Sequence, residues 1–298
     1  MNGINFRRRM LMGAAHYNAS FGLNNYLTIE ALEDNLTVTF TNTIEYTIDG
    51  QEWIRLKAKN ETQPINIGQT LRFRGERSPN SSDGIGTFTI NKKCNLKGNC
   101  MSMLFGDNAA NNYSLSGKDY AFYNLFRDCS NIVNVDSSFL PATTLADYCY
   151  ASMFQGCSNL TSSPELRATT LATRCYSYMF QGCSNLTSSP ELPATTLATS
   201  CYSYMFHNCS HLTASPELPA TTLVSDCYSY MFYGCTRIAT IRCRAKKKSG
   251  NILILPPTYY WLNRISVKTG TFYGYSEYGW DRSASGIPKG WNFVELTD

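Results

Sequence analysis

The chain has 298 residues, 43% of them hydrophobic and 16% charged, and its 26 Lys and Arg against 22 Asp and Glu leave a net charge of +4. So small an excess argues against a nucleic-acid binder, which concentrates Lys and Arg on one face. No apolar run approaches the roughly 20 residues of a membrane-crossing helix, which argues against membrane insertion.

Residues 1–25 open the chain with Arg7-Arg8-Arg9 and then Met10 to Ala15, an apolar stretch broken by Gly13. A secretion signal needs an apolar core of about seven residues or more, with its basic residues earlier, so the sequence predicts a flexible basic arm and no signal peptide.

Residues 26–93 read as a small all-β module. YLTIEAL, NLTVTF, IEYTI, EWIRLKA, INIGQTLRF and GTFTI alternate or are β-branched, with turn residues between them. Asp49-Gly50 predicts a two-residue hairpin between IEYTI and EWIRL. Trp53 is expected in the module's core. Such modules serve as spacers or docking units, although one of this size has room for a sugar.

Residues 94–243 are dominated by a repeat. Cys149–Arg174, Cys175–Ser200 and Cys201–Asp226 are nearly the same 26-residue unit, CYSYMFQGCSNLTSSPELPATTLATS in its middle copy. A looser copy, Ala121–Tyr148, precedes them, and a degenerate one, CYSYMFYGCTRIATIRC, follows. Phe154, Phe180, Phe206 and Phe232 share a phase, as do Cys157, Cys183, Cys209 and Cys235, and Leu145, Leu171, Leu197 and Leu223. A fixed period of this length marks stacked units that bury their apolar residues only against one another, with atypical end units closing the stack. Within a unit, CYSYMFQGC predicts one or two helical turns ended by Gly182, and the proline-containing remainder predicts short strands and turns. The expected fold class is therefore an α+β repeat: a solenoid of short strands plus a short helix per unit, behind the all-β module.

MFxGCSNL followed by a proline-rich turn resembles the BspA-type leucine-rich repeat of bacterial surface proteins, especially those of gut Bacteroidetes. The resemblance covers about Cys100 to Cys243. CNLKGNCMSMLFGDN before the array, and GTF with SGIPKGWNFVEL after it, resemble segments attached to such repeats in Bacteroides proteins. It implies a right-handed scaffold with a binding or adhesive role and no catalytic residues.

All twelve cysteines lie between Cys94 and Cys243. Equivalent cysteines of adjacent rungs, about 4.8 Å apart with parallel side chains, are close enough to bridge but wrongly directed, so a ladder of buried thiols is expected and not a disulfide framework. His207, Cys209 and His211 are spaced like zinc ligands. Gln181 and Tyr233 replace His207, and Asn185 and Arg237 replace His211, in neighbouring units, so no metal site and no cofactor is expected.

The units differ chiefly at Gln155, Gln181, His207 and Tyr233, at Asn159, Asn185, His211 and Arg237, and at Arg174, Ser200 and Asp226. Variation on a constant frame forms either a recognition face or a set of unconstrained solvent positions. Glu165, Glu191 and Glu217 recur once per unit as a surface row, and no Ser/His/Asp, Cys/His or phosphate-loop pattern is present, so no catalytic residue is assigned.

Residues 244–298 turn aromatic and glycine-rich after Lys246-Lys247-Lys248, and read either as a lid over the last rung or as an exposed binding patch. Tyr275, Tyr278 and Trp280, between Gly274 and Gly279, are the candidates for exposure. Taken together, the sequence predicts a non-enzymatic structural or binding protein. The preferred reading is a bacteriophage virion component, tail or tail-fibre associated, made in the host cytoplasm. Its partners are other virion proteins or a host cell-surface protein or glycan, and it is expected to be a homo-oligomer. The alternative is a bacterial cell-surface adhesin, with a carbohydrate-active enzyme as a third.

Overall fold

The computed structural model describes residues 25–79, 83–245, 256–275, 280–283 and 285–297. The basic arm and Lys246 to Lys248 lie outside the described residues, as does Tyr278. The described chain is mostly sheet with few helices, and several strands run parallel.

Each strand foreseen in the first module forms. These are β1 (Leu27–Ala31), β2 (Val38–Phe40), β3 (Ile44–Ile48), β4 (Ile54–Leu56), β5 (Thr70–Arg74) and β6 (Phe88–Ile90). β3 and β4 pair antiparallel around Asp49 and Gly50, which both take positive φ (51° and 78°), the twist-matched turn that Asp-Gly favours. Trp53 is not in the core. It lies half-buried with its ring over Arg74 and its edge against Tyr26, while the core is filled by Leu27, Ile29, Leu71, Phe73 and Phe88.

The module does not end at residue 93. β7 (Cys94–Gly98) pairs antiparallel with β1 on one side and parallel with β8 (Ile132–Val135) on the other, which makes one six-stranded sheet in the order β4-β3-β5-β1-β7-β8. Phe88 stacks on Phe126 at 5.1 Å, and its N–H donates to the Leu125 carbonyl. The β module is thus the end cap of the array, sharing backbone and side-chain ladders with it.

Inside the repeats the expected helix is absent. α1 (Ser102–Phe105) lies before them, and each CYSYMFQGC segment is instead a ribbon of overlapping tight turns. The N–H groups of Cys149, Ala151, Met153, Gln155 and Cys157 donate three residues back, whereas those of Tyr148, Tyr150, Ser152, Phe154 and Gly156 donate at 2.8–3.0 Å to Thr173, Cys175, Ser177, Met179 and Gln181 of the next unit. A helix would spend every N–H internally. Here half of them tie one unit to the next. Every fourth residue is left-handed: Tyr148, Ser152 and Gly156 in one unit, Arg174, Tyr178 and Gly182 in the next. For a non-glycine residue that conformation costs roughly 1–2 kcal/mol, which the cross-unit bonds and ring stacking must offset.

The four-residue geometry sends side chains in pairs. Cys175 and Tyr176 are buried, Ser177 is buried with its hydroxyl donating to the Ser203 carbonyl, Tyr178 stands half-buried on the outer side, Met179 and Phe180 are again buried, and Cys183 closes the inner face. Phe126, Phe154, Phe180, Phe206 and Phe232 stack at 5.7–5.8 Å, and Tyr150, Tyr176, Tyr202 and Tyr228 form a second inner column at 5.8–6.1 Å. Leu186 and Leu192 are fully buried, whereas Leu145, Leu197 and Leu223 only border the core.

Strands do not recur in every unit as expected. They occur at the ends of the array, as β8 and as β9 (Ala214–Leu218), β10 (Thr240–Cys243), β11 (Thr271–Gly274) and β12 (Asn292–Glu295), the last four forming a parallel sheet in the order β12-β11-β10-β9. Proline accompanies the gap. Residues 161–166 and 187–192 each carry one, Pro164 and Pro190, and are joined by no ladder, while proline-containing β9 pairs with proline-free β10.

All twelve cysteines are buried free thiols. Cys157, Cys183, Cys209 and Cys235 donate from Sγ to the carbonyls of Phe126, Phe154, Phe180 and Phe206 in the preceding unit, at 3.0–3.2 Å. Burial pushes the thiols of Cys129, Cys149, Cys201, Cys235 and Cys243 up to about 12 from an ordinary value of 9.0, and those of Cys100, Cys157, Cys175, Cys209 and Cys227 well above it.

Two predictions follow from this packing. A folded-state pKa above the unfolded one gives stability that is complete below about pH 9 and is lost as pH climbs toward 12, at roughly 1 kcal/mol per thiol per pH unit. Urea midpoints measured from pH 7 to 11 are therefore expected to hold up to about pH 9 and then fall steeply; a flat profile refutes the buried ladder. Secondly, Gly182→Ala meets only ordinary contact, whereas the methyl group of Gly234→Ala collides with the Asn208 amide oxygen. Gly182→Ala is expected to lose about 1 kcal/mol in chemical denaturation and Gly234→Ala distinctly more.

Candidate binding surface

The outer side of the turn ribbon carries the positions at which the units differ. Gln155, Gln181, His207 and Tyr233 form one continuous row: Gln155 Nε2 donates to Gln181 Oε1 at 2.6 Å, Gln181 Nε2 meets His207 Nδ1 at 3.4 Å, and the His207 imidazole stacks on the Tyr233 ring at 4.7 Å and 1°. Arg264 extends the row, its guanidinium 5.4 Å from the Tyr233 ring centre. Burial holds His207 below its ordinary value, so its imidazole is neutral at pH 7.

The second predicted row is looser. Asn185 Nδ2 reaches Asn159 Oδ1 at 3.4 Å, His211 Nδ1 lies 2.6 Å from the Ser184 carbonyl, and Arg237 is exposed. Cys209 turns inward to the Phe180 carbonyl while His207 and His211 lie on the outer side, so the three residues with zinc-like spacing do not converge. Arg174, Ser200 and Asp226 separate by environment. Arg174 packs over Tyr148 and donates to its hydroxyl at 3.0 Å, Ser200 is buried, and Asp226 accepts from Ser229 Oγ at 2.6 Å.

A further row escapes sequence reasoning. Tyr178, Tyr204 and Tyr230 stack at 4.5 Å with about 10° between planes, half-buried on the outer side, and Tyr230 continues to Tyr259 and Tyr260. Tyr204 and Tyr230 also touch His207 and Tyr233 of the adjoining row. A helical reading gives each tyrosine of CYSYMF no particular side, whereas the four-residue pairing puts the first inside and the second outside. Because the rings cover one another, the row offers solvent its edges and hydroxyls and keeps its faces to itself. The Tyr204 phenol is pushed up to about 12, first by burial and then by the phenols of Tyr178 and Tyr230.

The row reaches Tyr259 and Tyr260 because the aromatic tail contains another turn ribbon. Tyr228, Tyr230, Phe232 and Gly234 donate to Pro257, Tyr259, Trp261 and Asn263, and Tyr260 and Arg264 are left-handed like Tyr230 and Gly234 before them. PTYYWLNRI thus stands where CYSYMFYGC stood, four residues later than the 26-residue period would place it. Little of the lettering is shared, and the extra residues hide the phase.

The rest of the tail is a lid. Trp261 is fully buried and stacks on Trp280 at 5.5 Å, and Phe272 and Trp291 complete the cover. Trp280, a candidate for exposure, is only 6% exposed. It belongs to the apolar end that the last ribbon would otherwise leave in water. Tyr275 is half-buried and receives a hydrogen bond from Arg244, which also pairs with Glu217. Glu165 and Glu191 are exposed as expected, and Glu165 pairs with Arg167.

No protein-family model matches the chain, and no curated protein or solved structure matches it either.

Tyr204 stands between two stacked neighbours and touches the adjoining row. Tyr204→Leu is expected to lose roughly 1–2 kcal/mol in urea titration and part of the near-ultraviolet circular dichroism; an unchanged midpoint would mean that the ring stack contributes nothing.

Proposed function

We propose that the protein is a non-enzymatic binding component built on a leucine-rich-repeat-like solenoid, which displays its turn-ribbon face to a partner. One observation carries this reading: the backbone bonding between units is constant, while one contiguous outer row keeps Gln155 and Gln181 and then changes to His207 and Tyr233. A frame that holds unlike side chains in fixed register suits recognition of an extended surface. The row is mostly uncharged, and it adjoins the edges of the tyrosine stack, so its partner is a polar, hydrogen-bonding surface.

The preferred carrier is a bacteriophage particle, with the repeats turned outward for host attachment or particle assembly. Twelve buried free thiols support synthesis in a reducing cytoplasm. Many copies on one particle raise the strength of individually weak contacts. The adhesin reading differs in the carrier alone, and fractionation separates the two: peptides of this chain are expected in purified phage particles, and recovery from outer-membrane fractions of uninfected cells, without any in particles, overturns the virion reading. For the face itself, His207→Ala and Tyr233→Ala are each expected to weaken binding of the purified chain to whole host cells about tenfold, measured well below the melting temperature of each variant. Binding at parental strength would remove this row from the interface.

A further inference from the structure

Away from the repeat face, the β module carries a cavity of about 420 Å³ that the function proposed above does not use. Its construction follows from strand register. Arg55, Glu45 and Arg74 are cross-strand neighbours on β4, β3 and β5, so an alternating charged row crosses the solvent face of the sheet. Asp107, in the tight turn after α1, closes the row from the side. Gly75 and Gly106 permit this approach: the Gly106 N–H donates to the Gly75 carbonyl at 2.9 Å, and a side chain on Gly75 would press on the Met103 carbonyl.

The polar groups are held in place before anything binds. Arg74 Nε donates to Glu45 Oε2 at 2.9 Å, and its NH1 donates to both Asp107 oxygens at 2.8 and 2.9 Å. The Tyr26 hydroxyl donates to Asp107 Oδ1 at 2.8 Å, and the Trp53 ring covers the Arg74 guanidinium at 4.1 Å. Both carboxylates nevertheless remain about half exposed, at 48% and 52%, with accepting capacity turned to solvent. Arg55 and Glu76 also line the cavity, and among the described residues neither engages another side chain.

We infer that this cavity binds an uncharged sugar residue of a glycan. Its volume falls within the roughly 300–1,000 Å³ of small-molecule sites, but its walls are charged where such sites are mostly apolar, so the ligand must be rich in hydrogen-bonding groups. Three carboxylates against two guanidiniums rule out a strong anion, and Arg55 and Arg74 oppose a cation. Neighbouring sugar hydroxyls both donate and accept, and so satisfy carboxylates and guanidiniums side by side. Fixing Arg74, Glu45 and Asp107 in one network lowers the ordering cost of binding. The inference does not rest on the repeat face being an attachment surface.

The test is affinity electrophoresis of the full chain through gels containing galactomannan, xyloglucan, β-glucan or desialylated mucin, with polygalacturonate and polylysine as charged controls. Retardation by at least one neutral glycan is expected, persisting in about 0.5 M NaCl. Arg55→Ala and Glu76→Ala replace side chains without internal partners, so folding is unaffected, and each is expected to weaken retardation roughly tenfold or more. Glu191→Ala, exposed on the repeats and in neither binding surface, is expected to leave it unchanged. The proposal is overturned if no neutral glycan retards the chain, if only the charged polymers do, or if both pocket variants migrate like the parent. Loss through His207→Ala with the pocket variants intact would place glycan binding on the repeat face instead.

Discussion

Half the backbone N–H groups of each turn ribbon are committed to the neighbouring unit, and the rest of the structure depends on that division. A helix in the same place would be self-sufficient, and the units could then drift in register or separate. The alternating pattern makes each ribbon incomplete alone, so bonding and burial reinforce one another. Tyr148 donates to Thr173 and Phe154 to Met179, and the inner Phe and Tyr columns stack as a consequence of that register. The left-handed conformation of Tyr178, Tyr204 and Tyr230 is tolerable for the same reason: the surroundings fix it on both sides.

An open stack has two vulnerable ends, and the chain closes them by unlike means. At the first end the β module lends a strand, since β7 belongs equally to β1 and to β8, and Phe88 supplies the terminal ring of the phenylalanine column. At the other end the ribbon geometry continues through Pro257 to Arg264 with larger side chains, and Trp261, Trp280 and Trp291 fill the space where another unit would stand. Aromatic bulk at the tail therefore acts mainly in burial. The outer rows lie between these caps with both ends anchored, which keeps neighbouring side chains in contact along the whole row.

Much of this was open to reading from residues alone. The Asp49-Gly50 hairpin, the six strands of the first module and the inward thiols follow from local turn chemistry, alternation and a strict period. The row Gln155, Gln181, His207 and Tyr233 was legible because its position varies against a largely constant background. The tyrosine row was not, because Tyr176 and Tyr178 are the same residue type two positions apart, and only the backbone period decides which of them is buried. The cavity beside Arg74 was equally hidden, since Glu45, Arg74 and Asp107 are distant in sequence and become neighbours through strand register.

The amino-acid order by itself determined where the units begin and that their Phe, Met and Cys side chains must be buried. Those are consequences of short-range sterics and of apolar residues recurring at one spacing. Tertiary structure alone decided between helix and turn ribbon, placed strands only where a proline-free neighbour offered donors, and turned Trp53 outward and Trp280 inward. In each of these cases the deciding group sits on another unit or strand. A backbone N–H or an aromatic ring takes whichever environment its non-local partner completes, and no local pattern records that partner.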